Sequence, residues 1–366
     1  MVVFALTLVC IDTSNPLLRL GFFIIIPVFY FFKNKIDESL NLLSSSKKAW
    51  KLVKVVVVIL LVARVAHCSY RLLKPNPNME DIAHVHLRAF DALFLDHKNP
   101  YSEPLDHYPV GSKDYAGFKY PPLGLFFYAP FIALLAAKGI YLANALLYFL
   151  AAFLIGRELL KYSRFHSALG LIFFFCSDFY FRLAMNRGTN DFLPSLLMLL
   201  GVMSLRNSKE GAAGIYWGLS LLVKPFPVGL ILFLSFFQKK FKAIAISVVF
   251  AMIGFLPFLF WDKVAFTENV IIFNLLRPVR ESSILVHFSP LWQTLTPFLG
   301  LLILAGLSFM SYRFSIFNLK RSWFFITIGT LLFLLTSKMT PYHYFVWLLP
   351  FLIFYYLVPL DKKTSL

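Results

Sequence analysis

From about residue 17 to residue 359 the chain returns repeatedly to apolar runs bounded by charge or turn residues. They fall at roughly 17–32, 53–70, 140–156, 166–181, 191–205, 211–223, 225–238, 243–260, 292–309, 323–337 and 344–359. No other feature constrains the fold as strongly. About 20 apolar residues cross a 30 Å hydrocarbon core as a helix, and in lipid the backbone must satisfy its own N–H and C=O groups. The runs therefore predict an all-α polytopic membrane protein with about 10–11 transmembrane helices. Several runs are shorter than a full crossing, which predicts irregular backbone buried among neighbouring helices. Composition agrees, because 59% apolar and 14% charged residues leave too little polar surface for a water-soluble domain. The cysteines Cys10, Cys68 and Cys176 have no paired spacing, so neither a disulfide framework nor a cysteine metal site is expected. The opening MVVFALTLVCIDTSN lacks the basic n-region of a secretory signal, and the first run is compatible with an uncleaved anchor.

A net charge of +17 would ordinarily point to nucleic acid, but the placement of the charges gives another account. Cytoplasmic loops of membrane proteins retain Lys and Arg. One set of connections, including Lys33 to Lys54, Arg157 to Arg164, Lys239 to Lys242 and the tail 361–366, holds nineteen cations and five acids. The opposite set holds thirteen cations, Lys224 aside, and twelve of the eighteen acids, spread over far more residues. The first set is predicted to be cytoplasmic, with the C-terminus, and anionic lipid accounts for its charge without nucleic acid. Residues 211–238 offer only 28 positions for two helices. Read as a single span they would reverse the charge bias of every later loop, so two short helices meeting at Lys224-Pro225-Phe226-Pro227 are expected. Lys224 then lies below the outer surface, lining a cavity, and an ionisable residue there is a functional candidate; the bland alternative is a snorkelling lysine.

The organisation that follows is an N-terminal hydrophobic segment and basic loop (1–52), a transmembrane domain (53–360) and a short cytoplasmic tail (361–366). Within the domain, residues 71–139 form a long outer segment. In NMEDIAHVHLRAFDALFLDHKNPYSE the residues Ile82, Val85, Leu87, Phe90, Leu93 and Phe94 give an approximate helical stripe that begins at Asp81. A carboxylate there serves equally as an N-cap or as a poised base. Residues 122–137 read as a helix at the outer interface, with Pro121 and Pro122 at its entry and Pro130 within it. The other outer connections carry Arg182, Asn186, Arg187 and Asp191; Lys224; Arg277, Arg280, Glu281, His287 and Gln293; and Lys338, Tyr342 and His343. Several cations beside a few carboxylates at the outer leaflet match an anionic lipid headgroup.

An acid at the start of the first outer loop is followed by NPY, YPPLG, RGTND, GLSLLVKPFP and SKMTPYHYFVWLLP. In this order the sequence resembles the polyprenol-phosphate-dependent membrane glycosyltransferases of the C-fold (GT-C) superfamily, and most closely glycosyltransferase family 87, over roughly residues 53–360. The resemblance implies transfer of a polyprenyl-phosphate-linked sugar, often mannose, to a glycan, glycolipid or protein acceptor on the extracytoplasmic side, with inversion. It implies Asp81 as general base, with Glu80 and Asp91 as alternative acids. Arg187, Lys224, Lys338 and His343 would bind the donor phosphate, and Tyr120, Asp191 and Tyr342 would support the site. The chain departs from the family pattern at His84 and Asp96-His97-Lys98, where relatives carry Tyr and Gly before NPY. It departs again at Gly188-Thr189 and Asp191, where they carry Gly-Gln near an Asn.

No cofactor is expected, since the lipid-linked donor is itself a substrate. A metal is not expected either: His84 and His86 with Asp81 do not share one helical face. GxGxxG and Walker-type runs are absent from the sequence. The rival reading is a polytopic lipid or solute transporter or flippase, which would place ionisable residues near the midplane in inverted repeats. The sequence has no such repeat, and apart from Lys224 and Arg64 its charges lie near helix ends. The expected location is the cell inner (plasma) membrane, or the endoplasmic reticulum in a eukaryotic host; the chain has no N-x-S/T sequon.

Overall fold

A computed structural model of the chain describes residues 21–75, 79, 81–106, 116–224, 240–273, 289–292, 295, 302, 305–306, 309, 322–336 and 346–359. The backbone of Asp81 is described and its side chain is not. Among these residues the structure is helical apart from loops and a single antiparallel bridge between Asp106 and Ala116. The helices are α1 (Phe22–Ser45), α2 (Lys47–Leu73), α3 (Asp81–Phe90), α4 (Pro122–Leu135), α5 (Ala137–Leu160), α6 (Arg164–Cys176) and α7 (Asp178–Arg182). They continue with α8 (Phe192–Arg206), α9 (Glu210–Leu221), α10 (Phe241–Trp261), α11 (Lys263–Phe266), α12 (Ser322–Thr336) and α13 (Leu349–Leu357). The chain is an all-α polytopic membrane protein. Among the described residues α2, α5 and α10 are long and apolar enough to cross a membrane, and α6 with Tyr180–Arg187 forms a fourth span if the 60° bend between them is counted within one crossing.

Local sequence fixes several of the helix starts. The Ser46 hydroxyl accepts from the Ala49 N–H to cap α2, and Ser163 caps α6 through the His166 N–H. Pro122 sits in the first turn of α4, where its missing N–H costs nothing. Between α4 and α5 the chain reverses at Ala136, which has a positive φ of 48°. Of the apolar stretch around 17–32, the part from Phe22 to Phe32 lies within α1, which runs past it into the charged segment, where Lys33 pairs with Asp37 one turn on.

Residues 166–181, expected as one span, are broken at Ser177, whose ψ of 88° is non-helical. The guanidinium of Arg64 on α2 takes up the backbone freed there. Its Nε and Nη2 donate to the Phe175 carbonyl at 2.9 and 2.6 Å, and its Nη1 meets Asp178 at 3.1 Å. A break in a membrane helix is tolerated where such a partner replaces the lost intrahelical bonds.

Two apolar cores result. The larger lies among α5, α6, α8, α9 and α13 and is filled by Tyr148, Phe174, Phe181, Phe192, Trp217 and Phe351. The smaller gathers the outer segment, α3, α4, α10 and α11 around Tyr101, Phe118, Leu125, Tyr128, Phe258 and Phe266. The polar site lies where elements of the two cores meet. The second short helix expected over 225–238 falls outside the described residues, as do most of 292–309 and the loop before α13.

Candidate active site

Four segments far apart in sequence converge on Tyr120. The first is α3, whose face toward the protein includes Ile82, Val85, His86, Ala89 and Phe90, all buried, while His84 is exposed. The second is the KYPPLG stretch that opens α4. Its Leu123 N–H is one of the unpaired donors of a helix start and donates to the Leu222 carbonyl at 2.9 Å, tying α4 to the end of α9. The third is the RGTND loop. Gly188 adopts φ +67° there, and a Cβ on it would lie 3.3 Å from the Cβ of Ala83, so α3 rests directly on this glycine. The fourth is the end of α9, which delivers Val223 and Lys224.

The loop is held from below by Asn144 of α5. Its Nδ2 donates to the carbonyls of Ala184 and Thr189 at 3.2 and 3.0 Å, and its Oδ1 accepts from the Tyr128 hydroxyl at 2.7 Å. So anchored, the loop presents Asp191, 0% exposed, to Lys224, 1% exposed, at 2.5 Å. The lysine Nζ also stands 5.6 Å from the centre of the Tyr120 ring. A second buried ion pair lies beside the same ring: Lys119 with Asp106, the lysine Nζ 5.9 Å from the ring centre. Asp106 is set by its backbone bridge to Ala116, and the flanking Gly117 N–H donates to Asn269 at 2.8 Å.

His86 completes the group. Its Nδ1 donates to the Ile82 carbonyl at 2.8 Å; a carbonyl only accepts, so Nδ1 carries the proton. Nε2 is then left to accept from Asn190 Nδ2 at 3.4 Å. A Cβ on Gly124 would come within 3.3 Å of Nε2, so the glycine of YPPLG lets the imidazole approach. Burial first, and the fields of Lys224 and Lys119 after it, outweigh the Ile82 bond and push the imidazole down to about 4, so it is neutral at physiological pH. Among the described residues Thr189 Oγ1 and Asn190 Oδ1 are buried with no hydrogen-bond partner, and both belong to this loop.

The structure brings together Tyr120, Asp191 and Lys224 of the residues singled out from the sequence. Arg187 lies at the exposed end of the π-helical turn Leu183–Arg187, next to Gly188. Asp91 is exposed at the start of another π-helical turn, beyond the end of α3 opposite to Asp81. Asp81 is the first residue of α3. Glu80, Lys338, Tyr342 and His343 lie outside the described residues. Sequence reasoning missed Lys119, Asp106, Asn144 and Asn190, and it considered His86 only as a metal ligand. The available signal was adjacency: Lys119 precedes Tyr120, and Asn190 lies inside RGTND. No group of three metal-ligating side chains occurs among the described residues.

A polytopic helical protein that gathers two lysines, two aspartates and a neutral histidine around a tyrosine, beside a loop of buried polar groups, has the makings of a membrane-embedded transferase. The sequence profile of glycosyltransferase family 87 matches residues 118–337, more than half of the chain. The chain belongs to that family and is a multi-pass membrane glycosyltransferase. No curated protein and no solved structure matches it.

Proposed function

We propose that the chain transfers a hexose, mannose by the family resemblance, from a polyprenyl-phosphate donor to a glycan, glycolipid or protein acceptor, with inversion. The active site faces the extracytoplasmic side of the inner membrane and the C-terminus faces the cytoplasm. The observation that carries this reading is the meeting of α3, YPPLG, RGTND and Lys224 around one tyrosine. In a single displacement the acceptor oxygen bonds to the anomeric carbon as the bond to the phosphate oxygen breaks. The phosphate leaves as an anion, and Lys224, with Arg187, Lys338 and His343, stabilises its charge. Asp81, at the start of the helix that carries His86, accepts the acceptor's hydroxyl proton; Glu80 and Asp91 are the alternative acids. Tyr120, Asp191 and Tyr342 shape the site. The buried oxygens of Thr189 and Asn190 offer hydrogen-bonding capacity that sugar hydroxyls would use.

The test is transfer from radiolabelled polyprenyl-phosphate mannose in membranes carrying wild type or Asp81→Asn. Loss of about 10²–10⁴-fold in rate is expected of the variant. Full transfer by Asp81→Asn overturns the base assignment, and no transfer by wild type from any polyprenyl-phosphate sugar overturns the donor class.

A further inference from the structure

We propose that Lys119 and Asp106 form the second half of the donor-phosphate site. Lys119 binds the same phosphate as Lys224, and each lysine is held by its own aspartate until the anion displaces it. The inference rests on the donor class proposed above. It starts from the two pairs beside Tyr120, with the lysine Nζ atoms 5.9 and 5.6 Å from the centre of that one ring. Lys119 is 4% exposed and Asp106 6%, nearly as withdrawn from water as Lys224 and Asp191.

A buried ion pair is seldom the most stable way to clasp a loop, since apolar residues of equal volume usually do as well or better. An anion site has a reason to keep one. Unmatched lysines would carry a large desolvation cost while the site is empty, so a buried site for a phosphate must store its cations against internal anions. Among the described residues two lysines face two aspartates and His86 is neutral, so the charges of these five side chains cancel. An incoming phosphate brings several strong acceptor oxygens and replaces a carboxylate on each lysine. The backbone under Lys119 is fixed for this role: Phe118 N–H donates to the Pro100 carbonyl at 2.9 Å, and Tyr120 is followed by two prolines. Lys119 Nζ also lies 5.8 Å from the centre of the Phe273 ring, so it stands near two aromatic rings.

The exchange has a signature that a structural clasp lacks. Removing Lys119 weakens phosphate binding, whereas removing Asp106 frees Lys119 and strengthens it. The full-length protein in lipid nanodiscs, as wild type, Lys119→Gln, Lys119→Arg and Asp106→Asn, is titrated with sugar-free polyprenyl phosphate and, separately, with inorganic phosphate. KM and kcat are measured with polyprenyl-phosphate mannose. We expect Lys119→Gln to raise the lipid Kd about tenfold, Lys119→Arg to stay within about threefold of wild type, and Asp106→Asn to lower the Kd. Equal weakening by Lys119→Gln and Asp106→Asn overturns the proposal and leaves a structural clasp. If Lys119→Gln does not fold, the Asp106→Asn and Lys119→Arg titrations decide by the same criterion. Inorganic phosphate binding as tightly as the lipid overturns the lipid-borne source. Wild type that binds polyprenyl phosphate with this pattern yet transfers no mannose supports the anion site and overturns the transfer reading. Wild type that transfers mannose while Lys119→Gln binds normally does the reverse.

Discussion

Among the described residues, the buried charges at Tyr120 are met by opposite side chains, whereas at Arg64 the charge is met largely by backbone. Lys224 pairs with Asp191 and Lys119 with Asp106, all four nearly inaccessible. Arg64 spends two donors on the carbonyl of Phe175, and its carboxylate partner among the described residues, Asp178, is 56% exposed. In the proposal made above the first arrangement stores charge for a ligand, while the second repairs a helix break. Both obey the rule that a polar group in a membrane bundle must find a partner inside the protein. They differ in whether the partner can be exchanged: a carboxylate competes with another anion for a lysine, while a backbone carbonyl stays with the fold.

Breaking the first centre should have the largest effect. Asp191→Asn leaves Lys224 buried and unmatched and should cost about 3–5 kcal/mol, read from thermal unfolding in detergent, while Asp191→Leu with Lys224→Met restores most of the stability without restoring transfer. A cost near zero for the single variant would show that water reaches the pair.

Next comes pH. His86 has an ordinary value of 6.5 and is held at about 4 in the fold, so between these values the unfolded chain binds a proton that the native protein does not. Stability therefore rises with pH across that window, by on the order of 3 kcal/mol in total. Unfolding curves of wild type should steepen below pH 6.5, and His86→Gln should flatten that part of the profile; an unchanged slope would mean that another group titrates there.

At the second centre, Arg64→Ala should cost about 2 kcal/mol by stripping the Phe175 carbonyl of its partner. Asp178→Asn should cost less than about 1 kcal/mol, because more than half of that carboxylate faces outward. A larger effect from Asp178 than from Arg64 would invert the comparison and make the ion pair, not the backbone bond, the purpose of the cluster.

The fold class was legible because the need to satisfy backbone in lipid writes itself into long apolar runs. The motifs YPPLG, RGTND and LLVK were legible as neighbours in one family pattern, and three of their residues, Tyr120, Asp191 and Lys224, do meet. The break at Ser177 was not legible. Its repair depends on Arg64, more than a hundred residues earlier, and the polar pair Ser177-Asp178, the one interruption of the apolar stretch 169–181, was read as part of the span. Lys119 and Asp106 were hidden among the many charges of the outer segment, where an exposed lysine and a buried one look alike in sequence.

By itself, then, the sequence determined the solvent, the all-helical class, the family and the small set of polar residues available to a site. Periodicity, hydropathy and short motifs are local quantities, and they suffice for these. Only the tertiary structure decided which charges neutralise which. Lys224 and Asp191 stand 33 positions apart and Lys119 and Asp106 stand 13 apart. A buried charge is tolerable only beside its partner, and chain folding, not spacing along the chain, selects that partner.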